Sequence, residues 1–177
     1  MYVDPLTSVK SGHAYLEDVA KIVKRIETGE LKEFRGNIFE CINEVISYIQ
    51  SHISYKSEII GVRRIEKPEI PVKAIREIVI NAFAHRMIES RQAVEVAIFK
   101  SYIEVFSPGV FPQDIEPEKF INQSIRPPRR NPLITKTLYY SKDMEAMATG
   151  LRRIDSECAT AGVKYEFIRS EEHTSEL

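Results

Sequence analysis

The sequence predicts an α+β protein, a two-layer sandwich with helices packed on one face of a sheet. Two segments, 37–53 and 72–87, repeat apolar residues every three or four positions, which is typical of amphipathic helices. Residues 94–106 instead alternate apolar and polar side chains around a tight connection, which predicts an antiparallel pair of strands. Helices that interleave with at least one antiparallel pair favour the α+β class over a purely parallel sheet.

Composition bounds the class of protein before any motif is considered. The chain has 177 residues, 25 Lys+Arg against 26 Asp+Glu, a net charge of −1 and 43% hydrophobic residues. This length predicts one soluble domain. Because the net charge is close to zero, the overall charge does not favour binding to nucleic acid or to an anionic membrane. No stretch approaches the roughly 18 apolar residues of a membrane helix. We therefore expect a cytoplasmic protein without a membrane partner.

Both ends differ from the middle of the chain. Residues 1–30 mix small and polar groups and are interpreted as a truncated or poorly defined segment. Residues 31–168 form the predicted domain. Residues 169–177, which read RSEEHTSEL, lack apolar periodicity and resemble a translated sequencing adapter. We expect a non-native tail there, with a disordered natural tail as the alternative, and we expect the chain to be a fragment.

The first half of the domain contains two predicted helices and a predicted strand. Asn37 lies one position before the first apolar residue of the 37–53 helix and is expected to cap it. Ile59, Ile60, Val62 and Ile65 form a β-branched run that predicts a strand, which Pro68 closes. The helix over 72–87 follows.

The second half begins with strands at Val94–Ile98 and Ile103–Phe106, ended by a turn at residues 107–109. Residues 110–131 lose the pattern, apart from a short helical turn predicted near Pro117. Asn131 and Pro132 are typical of a helix start, with Asn131 as the cap.

The C-terminal part of the domain is expected to contain one more helix and one more strand. The helix is predicted to begin near Thr149-Gly150 and to stop at Gly162, because glycine commonly ends a helix. Tyr165 and Phe167 predict a final strand. Arg152 and Arg153 are expected to pair with acidic residues of their own helix.

The row of polar side chains on the second helix is the main candidate site. Glu77, Asn81 and His85 lie four positions apart, so a carboxylate, a carboxamide and an imidazole share one stripe. Carboxylate and amide oxygens are ligands that magnesium prefers, and a nearby carboxylate can polarise an attacking water. The alternatives are a solvated helix face and, for His85, a hydrogen-bonded histidine at the edge of the core.

A second candidate site is the local cluster of basic residues. Arg126, Arg129 and Arg130 lie in a proline-rich stretch with Lys136 nearby. Guanidinium groups match phosphate oxygens, whether of a nucleotide or of a nucleic acid. An exposed polar loop is the equally weighted alternative. Cys41 and Cys158 lie on apolar-periodic segments and are expected to be buried, with no disulfide framework or zinc site.

Several catalytic motifs do not occur in the sequence. It contains no G-x-x-x-x-G-K-[ST], no G-x-S-x-G, no H-E-x-x-H and no G-x-G-x-x-G. Motor helicases, α/β-hydrolases, zincins and Rossmann enzymes are therefore disfavoured, and the chain is not expected to be a helicase on its own.

Four landmarks together carry a resemblance to a known family. The segment E-x-x-x-N-A-x-x-H-R at 77–86 resembles the N-box helix of the GHKL, or Bergerat-fold, ATPases. The four landmarks make the chain similar to the ATPase-like C-terminal domain of RecG-related transcriptional regulators: F-R-G-N-I-F at 34–39, the hairpin and turn at 94–109, R-R-N-P-L-I at 129–134 and T-G-L-R-R-I at 149–154. In that family an AlbA-type (Schlafen-like) DNA-binding domain usually lies upstream. The resemblance covers about residues 30–167 and implies a Bergerat-like fold.

The resemblance also implies a nucleotide site with ATP and magnesium as cofactors. It assigns Glu77 as the general base and Asn81 as the magnesium ligand. The remaining implied nucleotide-binding residues are His85, Gly109 near the base, and Arg129, Arg130, Thr149 and Gly150 near the phosphates.

Two departures from the family pattern weaken this expectation. The adenine-binding motif D-x-G-x-G is replaced by Ser107-Pro108-Gly109, without the aspartate, and one glycine remains in the lid. Any ATPase activity is thus expected to be weak. The alternative is a degenerate scaffold that binds no nucleotide and serves for dimerisation or interaction. DNA is implied as a partner only through a neighbouring domain, and a homodimer is a further expectation.

Overall fold

The computed structural model describes residues 21–25, 29–90, 92–109, 115, 117–123, 125, 130–141 and 150–168. Within them the elements, in chain order, are β1 (Lys21–Arg25), β2 (Glu30–Phe34), α1 (Ile38–His52), β3 (Tyr55–Ile60), β4 (Arg63–Pro68), α2 (Val72–His85), β5 (Val94–Ile98), β6 (Ile103–Phe106), α3 (Pro117–Asn122), α4 (Pro132–Tyr140) and α5 (Gly150–Ala161). A short 3₁₀ turn at Ile88–Ser90 follows α2.

The four-stranded sheet has the order β2-β1-β5-β6. Strand β1 pairs antiparallel with β2 and parallel with β5, and β5 pairs antiparallel with β6. The β5–β6 pair was predicted from the sequence, whereas β1 and β2 were not. The sheet is therefore mixed, and the α+β class is confirmed.

Helices α1 and α2 supply most of the core that covers this sheet. On β5, Val94, Val96 and Ile98 are buried while Glu95 is exposed, as the alternation predicts. The core residues of the two helices recur at helical spacing and include Ile42, Val45, Ile49, Val79, Ile80 and Phe83. Cys41 and Cys158 are free and buried, as expected.

The start of α1 follows the sequence closely. The Asn37 Oδ1 atom accepts hydrogen bonds from the N–H groups of Phe39, at 3.1 Å, and Glu40, at 3.0 Å. The Glu40 carboxylate accepts one in return from the Asn37 N–H at 3.3 Å. This capping box satisfies donors that the first helical turn leaves without partners.

Two predicted strands differ from the structure. The run from Ile59 to Ile65 is not one strand, because Gly61 takes a positive φ of 64° and reverses the chain between β3 and β4. These strands form a separate two-stranded sheet. Tyr165 and Phe167 lie outside regular secondary structure, and the Tyr165 hydroxyl donates to Asp155 on α5. A side-chain contact with the preceding helix thus replaces the predicted strand.

Candidate functional site

The polar stripe of α2 lies at the border of the core. Glu77 is buried at 8% exposure, and Asn81 and His85 are half-buried on the same side of the helix. The neighbouring positions Val79, Ile80 and Phe83 point into the core. A carboxylate this buried needs polar partners, because desolvation of an unpaired charge is costly.

Gly150, the first residue of α5, lies directly against this stripe. A Cβ at Gly150 would lie 2.9 Å from Glu77 Oε2, 2.8 Å from Asn81 Nδ2 and 3.3 Å from Asn81 Oδ1. Only a residue without a side chain allows the backbone to approach these groups so closely. The positive end of the α5 dipole therefore faces a carboxylate and a carboxamide.

The Glu77 carboxylate has an ionic partner on α5, the helix that begins at Gly150. Arg153 Nη1 donates to Glu77 Oε1 at 3.0 Å, with 30% of the arginine side chain and 10% of the glutamate side chain exposed. The expectation that Arg153 pairs within its own helix is therefore wrong. The spacing of Arg153 three residues after Gly150 places it one turn further along α5, still facing α2.

The turn after β6 is hydrogen-bonded to the C-terminal half of α2. The Ser107 hydroxyl donates to the Ala82 carbonyl at 2.8 Å, and the Met87 N–H donates to the Pro108 carbonyl at 2.6 Å. Gly109 has a φ of 118°, and a Cβ there would overlap the Arg130 guanidinium. Both the left-handed backbone and the close approach of Arg130 require glycine at this position.

The C-terminal carbonyls of α2 accept hydrogen bonds from the segment that leads into α4. Asn131 Nδ2 donates to the carbonyls of Ala84, at 3.1 Å, and Arg86, at 2.8 Å. Arg130 Nη1 donates to the His85 carbonyl at 3.3 Å. Asn131 does occupy the N-cap position of α4, but its side chain makes no cap hydrogen bond there. The predicted helix start, with Asn131 as the cap and Pro132 after it, is confirmed, while the Asn131 amide satisfies carbonyls that the end of α2 leaves open.

His85 is uncharged at neutral pH. Burial, and after it the nearby Arg130 guanidinium, lower the pKa of the imidazole below its ordinary value of 6.5. A neutral imidazole keeps one ring nitrogen as a donor and the other as an acceptor. This property suits contact with a polar ligand and equally suits a histidine at the edge of the core.

The structure brings most of the predicted site residues to α2. Gly150 contacts Glu77 and Asn81, while Gly109 and Arg130 lie at the His85 end of the same helix. Arg126, Arg129 and Thr149 lie outside the described residues. Two positioning contacts were not predicted from the sequence, that of Arg153 with Glu77 and that of Asn131 with α2. No local pattern indicates either of them, because each joins residues 45 or more positions apart.

One family model matches the second half of the chain. Residues 92–175 match the family described as "Putative ATP-dependent DNA helicase recG C-terminal". The match covers a little under half of the chain and concerns the RecG C-terminal, ATPase-like domain family. The matched range contains β5, β6, α4 and α5, with both Gly109 and Gly150, while the polar stripe of α2 precedes it.

A solved structure has a similar fold. The crystal structure of the DIP2311 protein from Corynebacterium diphtheriae superposes with a TM-score of 0.59 at 20% sequence identity. The likeness covers 75% of this chain and 28% of that one, so the present chain spans little more than a quarter of its length. At this identity the likeness concerns the fold. No curated protein matches the chain.

Two further findings concern the residues that the structure describes. None of its helices is both long enough and apolar enough to cross a bilayer. Nor do three His, Cys, Asp or Glu side chains gather there in a cluster that could hold a metal ion.

Proposed function

We propose that the chain is a nucleotide-binding regulatory domain that takes ATP with magnesium along the polar stripe of α2. One observation carries this proposal. Glu77 Oε2 and Asn81 Oδ1 both lie within 3.3 Å of a single point, the position that a Cβ of Gly150 would occupy. Two hard oxygen ligands thus converge where a helix begins, and the family of the matched segment is ATPase-like.

The residues present fit a magnesium ion that is shared with a nucleotide. Magnesium is commonly held by one or two protein oxygens together with substrate phosphates and water, so it needs no larger protein cluster. In this proposal Asn81 is the metal ligand and Glu77 lies beside it. When bound, the ion would offset the charge of the phosphates.

The phosphate side of the proposed site is the start of α5. N–H groups at a helix N-terminus and the helix dipole favour an anion, and Gly150 keeps this end free of a side chain. Arg130, exposed at the His85 end of the stripe, adds a guanidinium that matches phosphate oxygens. Arg129 and Thr149 extend the proposed phosphate contacts.

The base would lie at the Gly109 turn, next to His85. The aspartate that recognises adenine in the Bergerat ATPases is replaced in this turn, where Ser107 instead donates to Ala82. A hydrogen bond to a charged group contributes about 1.5–3 kcal/mol, so we expect roughly ten- to a hundredfold weaker binding than with the aspartate.

Glu77 is the proposed general base. Its ion pair with Arg153 favours slow hydrolysis, since the carboxylate is already engaged.

The regulatory role rests on the likeness to RecG-related transcriptional regulators. In this proposal the domain senses nucleotide, and DNA is contacted by a neighbouring domain rather than by the present chain.

A second candidate function is a degenerate scaffold that binds no nucleotide. The Glu77–Arg153 ion pair and the close fit of Gly150 favour it, because each also stabilises the packing of α5 on α2 without any ligand. In this case the stripe is structural, and the domain serves for dimerisation or interaction.

Calorimetric titration of ATP, with and without magnesium, separates the two candidates. The nucleotide-binding proposal predicts saturable binding that requires magnesium and that Asn81→Ala abolishes. Asn43→Ala is the matched control, since Asn43 is an exposed asparagine on α1 away from the stripe. The absence of both heat and a thermal shift at millimolar nucleotide would leave the scaffold. Binding that Asn81→Ala leaves intact would place the nucleotide elsewhere.

A further inference from the structure

The β3–β4 hairpin exposes an unusual amount of apolar surface. Every residue of β3, and all of β4 except the half-buried Pro68, is exposed. The large apolar side chains exposed there are Tyr55, Ile59, Ile60, Val62 and Ile65, with Ile59 at 77%. Tyr55 and Ile59 lie on one face of the hairpin and Ile60 and Ile65 on the other, because successive side chains of a strand alternate between faces. A two-stranded hairpin alone is marginally stable in water, so a partner strand at its edge would stabilise it.

We propose that this hairpin is a dimerisation element, in which β3 pairs antiparallel with β3 of a second copy of the chain. Strands β3 and β4 pair with each other, Ile60 opposite Arg63 at the two-residue turn. Residues 60 and 63, which close this turn, form a hydrogen-bonded pair. Hydrogen-bonded and non-hydrogen-bonded pairs then alternate along the two strands. The backbone groups of residues 55, 57 and 59 therefore point outward, at the free edge of β3.

One register of this pairing makes β3 self-complementary. With Ser57 on the two-fold axis, Lys56 lies opposite Glu58 of the second copy, and Tyr55 lies opposite Ile59 of the second copy. Residues 55, 57 and 59 then form the hydrogen-bonded pairs, which agrees with their outward groups. Moving the axis by one residue would place Lys56 or Glu58 opposite its own copy, and like charges directly opposite are destabilising.

Charges inside the hairpin favour the same pairing. Lys56 lies directly opposite Lys67 within the hairpin, an unfavourable cross-strand pair. Lys67 contacts Glu58 at 2.5 Å, whereas Lys56 reaches Glu69 only at 3.7 Å. Glu58 of the second copy would lie beside Lys56 and offset this repulsion.

The free edge of β4 is less suited to pairing. Equivalent two-fold pairing centred on Ile65 would place Arg64 opposite Glu66 of the second copy but also Arg63 opposite Lys67, so that its favourable and unfavourable pairs offset each other. Pro68, at the end of β4, also has no N–H group to donate. The proposal therefore concerns the β3 edge alone and is independent of nucleotide binding.

The test uses two charge reversals in the full 177-residue chain and measures mass in solution by sedimentation from micromolar to millimolar concentration. Wild type should form a dimer that dissociates on dilution. Lys56→Glu and Glu58→Lys should each weaken this dimer about tenfold or more, because each turns two favourable pairs into two unfavourable ones. An equimolar mixture of the two variants should recover the dimer, since every Glu then faces a Lys across the axis. Glu66→Lys is the control on β4 and should leave it unchanged.

The mixture distinguishes this register from general effects on folding. A variant that merely unfolds the hairpin cannot be rescued by another variant. Recovery of the dimer only in the mixture would support the proposal. A wild-type monomer at every concentration, which would fit a different protein covering the hairpin, overturns it. A dimer that both single variants retain overturns it as well, since the contact would then lie on another surface.

Discussion

The substitution Gly150→Ala tests the contact on which the candidate site depends. The new Cβ would lie 2.8 Å from Asn81 Nδ2 and 2.9 Å from Glu77 Oε2. Asn81 is half-buried and can move by a rotamer change. Glu77 is buried and held by Arg153, so it can yield little.

Two opposing effects decide the sign of the stability change. Alanine in place of glycine in a helix stabilises by up to about 1 kcal/mol. Overpacking against a fixed neighbour typically costs about 1–3 kcal/mol. We therefore expect Gly150→Ala to lower the free energy of unfolding by about 1 kcal/mol net, measured as a lower urea midpoint.

Two further variants make this result specific. In an Asn81→Ala background the cost of Gly150→Ala should shrink, because one of the two clashing groups is gone. Gly36→Ala is a comparison with a similar contact: its Cβ would lie 2.8 Å from Glu40 Oε2, the end of an exposed side chain, so moving it should cost only the return hydrogen bond of the α1 capping box. If Gly150→Ala stabilised the protein as helix propensity alone predicts, α5 would not begin against Glu77 and Asn81, and the site would be refuted.

Three other predictions address the cap of α1, the ion pair and the histidine. Asn37→Ala should lower stability by about 1 kcal/mol in urea denaturation, because the capping box is lost. Arg153→Ala should cost about 1–3 kcal/mol in the same assay, since the buried Glu77 carboxylate loses its partner. The lowered pKa of His85 predicts that stability falls as the pH drops below 6.5, because the unfolded chain then binds the proton more readily than the folded one. His85→Gln should flatten this part of the stability profile, and Arg130→Gln should flatten it only in part, because burial is the larger cause.

Each of these predictions has a contradicting result. An Asn37→Ser variant should keep most of the stability lost in Asn37→Ala, because serine is also a good cap; equal losses would contradict the capping argument. Arg153→Lys should destabilise the protein less than Arg153→Ala, because lysine keeps the positive charge; equal losses would contradict the ion-pair argument. A stability profile that His85→Gln leaves unchanged below pH 6.5 would show that another group is responsible.

Local signals predicted the elements that depend on one face of a helix or on a turn. The period of α1, its Asn37 cap and the β5–β6 alternation are all confirmed by the structure. Strands β1 and β2 were not predicted because Lys21–Arg25 and Glu30–Phe34 show little apolar alternation, and because the parallel pairing of β1 with β5 leaves no turn signal. One strand was predicted in place of the β3–β4 hairpin because β-branched residues continue on both sides of Gly61, which hides the turn at that glycine.

The candidate site was predictable in its parts but not in its assembly. The spacing of Glu77, Asn81 and His85 predicts one stripe on α2, as the structure has it. The close approach of Gly150 and the ion pair of Arg153 are tertiary contacts between residues more than 60 positions apart, which no spacing rule reaches. Asn131 illustrates the same limit, because its local position predicts a cap while its side chain hydrogen-bonds to the end of α2 instead.

Nuclear magnetic resonance of the isotope-labelled chain, titrated with magnesium and ATP, tests the central claim most directly. If the stripe, the Gly109 turn and the start of α5 line one site, the Asn81 side-chain amide should shift together with the backbone amides of Gly109, Gly150 and Leu151. The same titration of Asn81→Ala should abolish those shifts. Shifts confined to other residues, or none at millimolar nucleotide, would contradict a nucleotide site on α2.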